Sequence, residues 1–150
     1  MIKVLVGGSF DLITTGHIYL LRFCKGLGDY LIVNVENDDR VRRKKGDTRP
    51  IQPLDDRMQI LRGIRWVDRV DFLPIPPPLR IDYIEKQLDY YAPDIFVCNP
   101  ETEEMKIEIM NMCRNRNIDY IPAPTFESES HTSDLINKIV GNYNRKKSPT

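Results

Sequence analysis

Short apolar runs alternate along the chain with segments in which apolar residues recur every three or four positions. The runs at residues 2–6 and 30–35 have the length and the β-branched content of buried strands. Between them, Ile18, Leu21 and Cys24 recur at helical spacing. This first part of the chain therefore predicts a strand, a helix and a second strand.

The same alternation continues through the rest of the chain. Further strands are predicted at residues 69–73, 94–98 and 119–122. Further helices are predicted at residues 54–64, 81–88, 103–115 and 133–143. Strands separated by helices of this length imply a parallel sheet with right-handed crossovers. The predicted fold class is α/β: a single Rossmann-like domain with a parallel five-stranded sheet flanked by helices.

Three segments do not follow these patterns. Residues 36–53 contain few apolar positions and are predicted to form an active-site loop. Residues 74–78 are predicted to form an extended connector, because proline lacks the backbone donor that a strand needs. Residues 144–150 are polar and read as a C-terminal tail, which leaves residues 1–143 as the domain.

Composition narrows the functional classes. The chain has 150 residues, 41% of them hydrophobic, which is enough for one domain with a sizeable core. Lysine plus arginine equals aspartate plus glutamate at 22 each, so no net charge draws the protein to nucleic acid or to a membrane. No apolar run approaches the roughly 20 residues of a membrane span, and no signal-peptide pattern opens the chain. We therefore expect a soluble, cytoplasmic protein.

The cysteines do not indicate a metal or redox site. Cys24, Cys98 and Cys113 lie far apart and lack C-x-x-C spacing. Cys24 and Cys113 fall within helical patterns, where we expect them to be small core or interface residues.

Residues 7–17 join the first strand to the first helix through a glycine-rich turn. The first backbone amides of a helix have no partner within it, and the helix dipole favours an anion there by about 0.3–1 kcal/mol. Gly8 and Gly16 allow close backbone approach, while Thr14 and His17 offer polar side chains. The turn therefore suggests a phosphate site, although an ordinary strand-to-helix turn with a capping threonine and a surface histidine has the same pattern.

Two common phosphate-binding patterns are absent from the sequence. It contains no G-x-x-x-x-G-K-[ST] loop and no G-x-G-x-x-G after a strand. A phosphate-loop hydrolase and a dinucleotide dehydrogenase are therefore both disfavoured.

The segment from Gly8 to His17, G-S-F-D-L-I-T-T-G-H, resembles the (H/T)-x-G-H signature of the nucleotidyltransferase superfamily, in its cytidylyltransferase-like group. Residues 45–50, 53–57 and 66–70 resemble the K-G, R-P, E-x-R and V-D-x-V elements of that group. Residues 132–136 are similar to the element that opens its last helix. The resemblance is nearest to heptose 1-phosphate adenylyltransferase and glycerol-3-phosphate cytidylyltransferase.

This resemblance implies transfer of a nucleoside monophosphate from ATP or CTP to a sugar phosphate such as heptose 1-phosphate, with release of pyrophosphate. A polyol-phosphate cytidylyltransferase is the first alternative, and a catalytically silent nucleotide-binding module is the second. Mg²⁺ is expected to accompany the nucleoside triphosphate. The partners are thus a triphosphate and a small phosphorylated acceptor. The basic run at residues 40–45 lacks the interleaved aromatics of a nucleic-acid site.

The resemblance also assigns candidate roles to individual residues. His17, Thr14 and Lys45 are the expected catalytic groups. The expected nucleotide-binding residues are Gly8, Ser9, Phe10, Asp11, Gly16, Trp66, Thr132 and Ser133.

Several of these residues have a second interpretation. Arg49 and Arg57 could clamp the acceptor phosphate, but Arg57 could equally form a salt bridge on a helix surface. Asp11 could hold Mg²⁺ or form a turn with its own backbone. Trp66 could belong to the core instead of contacting the nucleotide.

An apolar helix face and three departures from the family pattern leave other questions open. Met105, Ile109 and Met112 share one face of a predicted helix and suggest a homodimer, although core packing explains them equally well. The departures are Thr14 in place of the first histidine, Asn99 after the fourth strand, and Ser130-His131 before the last helix. The base and the acceptor therefore remain open.

Overall fold

The computed structural model describes residues 1–74, 78–127 and 131–147. Its strands are β1 (Lys3–Gly8), β2 (Tyr30–Val35), β3 (Arg69–Asp71), β4 (Ile95–Cys98) and β5 (Asp119–Pro122). Its helices are α1 (Thr15–Gly26), α2 (Asp38–Lys45), α3 (Leu54–Arg62), α4 (Arg80–Tyr91), α5 (Glu103–Asn115) and α6 (Thr132–Lys147). Residues 75–77 of the expected connector, Ser130, and residues 148–150 of the expected tail lie outside the described part.

The five strands form one parallel sheet in the order β3-β2-β1-β4-β5. This confirms the predicted α/β fold. The strand order reverses at β1, since the chain builds outward on one side through β2 and β3 and on the other through β4 and β5. In open sheets of this kind, ligands bind beyond the carboxyl ends of the strands at that reversal.

Apolar side chains pack on both faces of the sheet. On one face Leu21 of α1 and Leu61 of α3 contact the sheet, and on the other Leu88 of α4 and Ile109 of α5 do so. Cys24 and Cys113 are buried in these layers, and burial raises the pKa of their thiols to about 12 and about 11. Their predicted place in the core is confirmed.

The prediction of a loop at residues 36–53 is wrong for its first half, because α2 lies there. Asn37 caps this helix by accepting a hydrogen bond from the Arg40 amide at 2.9 Å, and Gly46 ends it with a φ of 95°. Hydrophobic periodicity missed the helix because Val41 is its only apolar residue. At the other end of the chain, α6 continues through Lys147 into the expected tail.

The apolar face that suggested a homodimer is covered within the chain. Ile109 is fully buried, and Met105 and Met112 pack against the same cluster between α5 and the sheet. This face therefore does not support a dimer. Among the described residues, no helix is long and apolar enough to cross a membrane.

A buried polar network lies at the centre of the sheet and gives a test of the fold. Asn34 in β2 donates to the Tyr83 hydroxyl and accepts from the Tyr91 hydroxyl, each at 2.8 Å. Asn34→Ala leaves both hydroxyls without their partner, so we expect the free energy of unfolding to fall by about 2–4 kcal/mol in denaturant titrations.

The matched control repeats Asn34→Ala in a Tyr83→Phe, Tyr91→Phe background. Because no hydroxyl is then left unpaired, the asparagine substitution should cost clearly less there. An equal loss in both backgrounds would contradict the network's contribution.

Candidate active site

The turn after β1 is shaped by two residues with left-handed backbone. Phe10 has a φ of 49° and Leu12 a φ of 58°, and the Phe10 side chain is buried in the core. A Cβ added at Gly8 would lie 3.1 Å from the Phe10 ring, so glycine allows this ring to fold back under the turn. The chain then reaches Thr14, the N-cap of α1.

His17 is held in one tautomer by the cap of its own helix. The Thr14 amide donates to His17 Nδ1 at 2.9 Å, so the ring hydrogen lies on Nε2. Burial and the charge of Lys45 lower the pKa of His17, with a smaller lowering from His131, and Asp11 opposes them. At neutral pH the imidazole is therefore an uncharged donor through Nε2.

Lys45, the last residue of α2, reaches across to the same turn. Its Nζ donates to Ser9 Oγ at 2.8 Å. Burial and the nearby charges of Arg49 and Lys44 lower its pKa. Cations gathered at this density favour an anion beside the turn.

Asp11 does not fit the expected role of metal ligand. Its buried carboxylate accepts from Arg49 Nε at 2.7 Å and from the amides of Ile51 and Gln52 at 2.8 and 3.0 Å. Burial alone would raise its pKa, but these hydrogen bonds hold the pKa below its ordinary value. Asp11 thus stays ionised and ties the segment before α3 to the turn. No cluster of three metal-ligating side chains occurs among the described residues.

Arg57 is also a structural residue, and its expected role at the acceptor phosphate is not supported by its position. The side chain is fully buried and donates to the carbonyl oxygens of Ser9, Glu36 and Gln52 at 2.6–2.9 Å. Its remaining nitrogen pairs with Asp38 at 2.7 Å. The alternative is a salt bridge on the helix surface; Arg57 does form a salt bridge, but its own side chain is buried.

Arg49 differs from Arg57, because one of its donors remains available. Its Nε binds Asp11, while its buried Nη2 has no hydrogen-bond partner among the described residues. Arg49 therefore keeps its candidacy for the acceptor phosphate.

Trp66 lies at the wrong edge of the sheet for a nucleotide contact. It precedes β3, and two residues later the Asp68 amide donates to Leu31 at the start of β2. This is the amino end of the parallel strands, whereas the turn at Gly8 lies at their carboxyl end. The Arg65 guanidinium carbon lies 5.7 Å from the centroid of the Trp66 ring.

The start of α6 is joined to the turn from far along the chain. Thr132 Oγ1 donates to the Leu12 carbonyl at 3.0 Å, which brings the neighbouring Ser133 and the first amides of α6 toward the site. The carbonyl of His131 accepts from the Leu135 amide at 3.0 Å, as a residue preceding the helix does. His131 also contributes to the lowered pKa of His17, so it lies near the site as well as at the start of the helix.

Sequence reasoning missed two side chains near this edge, Glu36 and Gln87. Both are buried and polar, and they lie beside Gly7 and Gly8. Gln87 had a detectable signal, because it interrupts the apolar face of α4 next to Ile84 and Leu88.

Comparison with known proteins agrees with this geometry. The family model described as Cytidylyltransferase-like matches residues 5–138. The chain belongs to the cytidylyltransferase-like family. The FAD synthase of Pyrococcus horikoshii is 34% identical to this family member over 143 residues, which are 93% of each chain. The Bifunctional protein HldE of Streptomyces coelicolor is 42% identical over 94 residues, 63% of this chain and 19% of HldE.

A solved structure shares the fold. The lipopolysaccharide core biosynthesis protein from Thermoplasma volcanium superposes with a TM-score of 0.67 at 24% identity, covering 85% of this chain and 99% of that one. Together, the family and the FAD synthase relatives identify this cytidylyltransferase-like chain as a nucleotidyltransferase enzyme.

The tautomer of His17 can be measured directly. We expect NMR of ¹⁵N-labelled histidine to show the Nε2–H form, because the Thr14 amide donates to Nδ1, and a pKa below the ordinary 6.5, because burial and the charge of Lys45 disfavour the cation. A His131→Ala sample assigns the signals, since the chain has two histidines. An Nδ1–H signal or a raised pKa would contradict the cap geometry.

Arg57→Met tests the structural role of the buried guanidinium. The substitution leaves three carbonyls and Asp38 without their donor, so we expect a loss of about 3–5 kcal/mol in the free energy of unfolding. Arg62→Met, at an exposed position of the same helix, is the control and should change little. A stable Arg57→Met protein with a raised KM for the acceptor alone would restore the role expected from the sequence.

Proposed function

We propose that this enzyme transfers the adenylyl group of ATP to FMN, forming FAD and pyrophosphate. The observation that supports this choice is the extent of the match, since FAD synthases align over 93% of this chain and over 92–93% of their own length. HldE aligns over only 61–63% of the chain. The nucleotidyltransferase chemistry is common to both relatives, so the acceptor is the part that is proposed.

The reaction suits a site without a strong base. The phosphate of FMN is already ionised at neutral pH, so one of its oxygens attacks the α-phosphorus of ATP directly. A new P–O bond forms, the bond to the β-phosphate bridge breaks, and pyrophosphate leaves. Catalysis then rests on positioning and on donors that meet the growing negative charge.

The proposal assigns each catalytic contribution to a particular group. His17 donates through Nε2 to an α-phosphate oxygen, with Thr14 holding the imidazole in position. Lys45 supplies a positive charge above the turn, and the amides at the start of α1 and α6 meet the phosphates. Arg49 offers its unused Nη2 to the acceptor phosphate.

Mg²⁺ enters this proposal as part of the ATP complex. The ion keeps most of its waters and binds mainly through substrate phosphates. Because Asp11 is fully engaged with Arg49 and two amides, we assign no protein ligand to the ion.

Heptose 1-phosphate, the acceptor expected from the sequence, is the second candidate. It is supported by the 42% identity to HldE, which exceeds the 34% to the FAD synthase but extends over a shorter segment. A polyol phosphate with CTP is the third candidate, carried by the resemblance of the motifs.

Pyrophosphate release with Mg²⁺ separates these candidates. ATP, CTP, GTP and UTP are each assayed with FMN, heptose 1-phosphate and glycerol 3-phosphate, and we expect ATP with FMN to give the highest kcat/KM. Turnover with CTP, or with either other acceptor in preference to FMN, would replace the proposal by the corresponding alternative.

In the same assay, His17→Ala should lower kcat by about 10²–10³, the scale of losing one preorganised donor to developing charge. The matched control is Arg22→Ala, at an exposed position of the same helix. Unchanged turnover in His17→Ala would remove this histidine from the mechanism.

A further inference from the structure

A small polar pocket opens next to the phosphate turn, on the α4 side of the sheet. It is lined by the ends of β1 and β4 and by α4, and it encloses about 40 Å³. Its polar lining includes Glu36, Arg80 and Gln87, and Gly7 and Gly8 form its wall toward the turn. The pocket thus shares the end of β1 with the site of His17 and Lys45.

Gln87 presents an oxygen to this pocket. Its Nε2 faces the Tyr83 carbonyl at 3.4 Å, and since a carbonyl only accepts, this contact fixes the amide with Oε1 on the other side. Oε1 is buried and has no hydrogen-bond partner within the described part of the chain. A Cβ at Gly7 would lie 2.9 Å from it, so the oxygen lies directly against the end of β1.

Glu36 contributes a second buried oxygen. Its Oε1 accepts from Lys44 at 3.0 Å, while Oε2 is 3.5 Å from Arg40 Nε and makes no hydrogen bond with any described residue. Glu36 Oε2 is thus ion-paired but not hydrogen-bonded, and Gln87 Oε1 has no polar partner among the described residues, so a group with hydrogen to donate would satisfy both. We therefore expect the ligand of this pocket to carry hydrogen-bond donors.

Arg80 makes the pocket able to donate as well. Its guanidinium binds Glu101 and the Asn99 carbonyl, and its Nη2 lies 4.0 Å from Cys98 Sγ, so these contacts use three of its five N–H groups. A ligand group that both donates and accepts therefore satisfies this lining better than a pure donor or a pure acceptor.

Size selects among such groups. A water-sized group needs about 10–15 Å³, so the pocket holds about three of them. The isoalloxazine ring of a flavin is too large. An ionised phosphate could pair with Arg40 and Arg80 in the lining, but it has no hydrogen to donate and would leave the Gln87 and Glu36 oxygens without hydrogen bonds. Hydroxyl groups on a short carbon chain fit both the volume and the mixed donors and acceptors.

We infer that this pocket recognises hydroxyl groups of the acceptor next to its phosphate, with Gln87 and Glu36 accepting and Arg80 donating. The inference rests on the proposed function for its ligand, since in FMN the hydroxylated segment beside the phosphate is the ribityl chain. The same chemistry occurs in heptose and glycerol phosphates. Gln87 is accordingly a specificity-determining residue for the acceptor.

The test compares FMN with an analogue whose ribityl chain is replaced by an unsubstituted pentyl chain. Wild-type enzyme should prefer FMN in kcat/KM by about tenfold or more, because removing hydroxyls leaves the pocket's polar groups unpaired. Gln87→Met should lower kcat/KM for FMN, leave that for the analogue nearly unchanged, and keep the KM for ATP. Loss of this preference is a result that a merely structural role does not produce.

Gln59→Met, at an exposed position of α3, is the matched control and should retain the wild-type preference. Two results would overturn the inference. One is a wild-type enzyme that uses FMN and the pentyl analogue equally well, which would indicate that the pocket holds water and not acceptor hydroxyls. The other is a Gln87→Met enzyme that keeps the full preference.

Different results would show that the proposed function is wrong and that the pocket inference is wrong. If FMN is not a substrate but glycerol 3-phosphate is, the comparison is repeated with glycerol 3-phosphate against propyl phosphate, and the expectations for Gln87→Met are the same. If no acceptor turns over, calorimetric titration of the wild-type and Gln87→Met proteins with FMN and with its pentyl analogue gives the same comparison in Kd. Equal Kd values for hydroxylated and unsubstituted acceptors would overturn the inference.

Discussion

The buried guanidinium of Arg57 is the interaction on which the site depends. Removing a charge from water costs free energy that an opposite charge and hydrogen bonds must offset. Here the carbonyls of Ser9, Glu36 and Gln52 accept from it, and Asp38 balances its charge. These four residues belong to the turn after β1, the end of β2, the segment before α3 and the start of α2. One side chain therefore joins four of the segments that surround the phosphate turn.

A second ionic contact joins the turn to the segment before α3. Asp11 in the turn binds Arg49 and two amides of the segment that Arg57 also holds. With the turn fixed on both sides, Ser9 meets Lys45 from the end of α2, and the Thr14 amide sets the tautomer of His17. The protein itself thus holds the side chains of His17 and Lys45 in position, which is the preorganisation that electrostatic catalysis requires.

The carboxyl end of β1 adjoins two different polar environments. On one side of Gly7 and Gly8 lie the cations and helix amides that suit phosphates, and on the other lies the small pocket with Glu36 and Gln87. A phosphorylated acceptor has this division in its own structure, since a charged phosphate adjoins a neutral hydroxylated chain. The phosphate side carries the family motif, whereas the pocket side carries the residues that we propose to distinguish acceptors.

The amino-acid sequence by itself determined the α/β order of strands and helices. Strands that are covered on both faces appear as short apolar runs, and helices that cover them have apolar residues every three or four positions. The sequence also determined the nucleotidyltransferase family, because the turn at residues 8–17 needs its glycines, Thr14 and His17 in one contiguous string. Only the tertiary structure decided that Asp11 and Arg57 hold segments of the site together and that Trp66 lies at the amino end of the strands. The burial of a side chain and its hydrogen-bond partners depend on segments that are distant in the sequence. Helix α2 also escaped detection, because its single apolar residue leaves no periodicity and its stability comes from a cap and from contacts with the site.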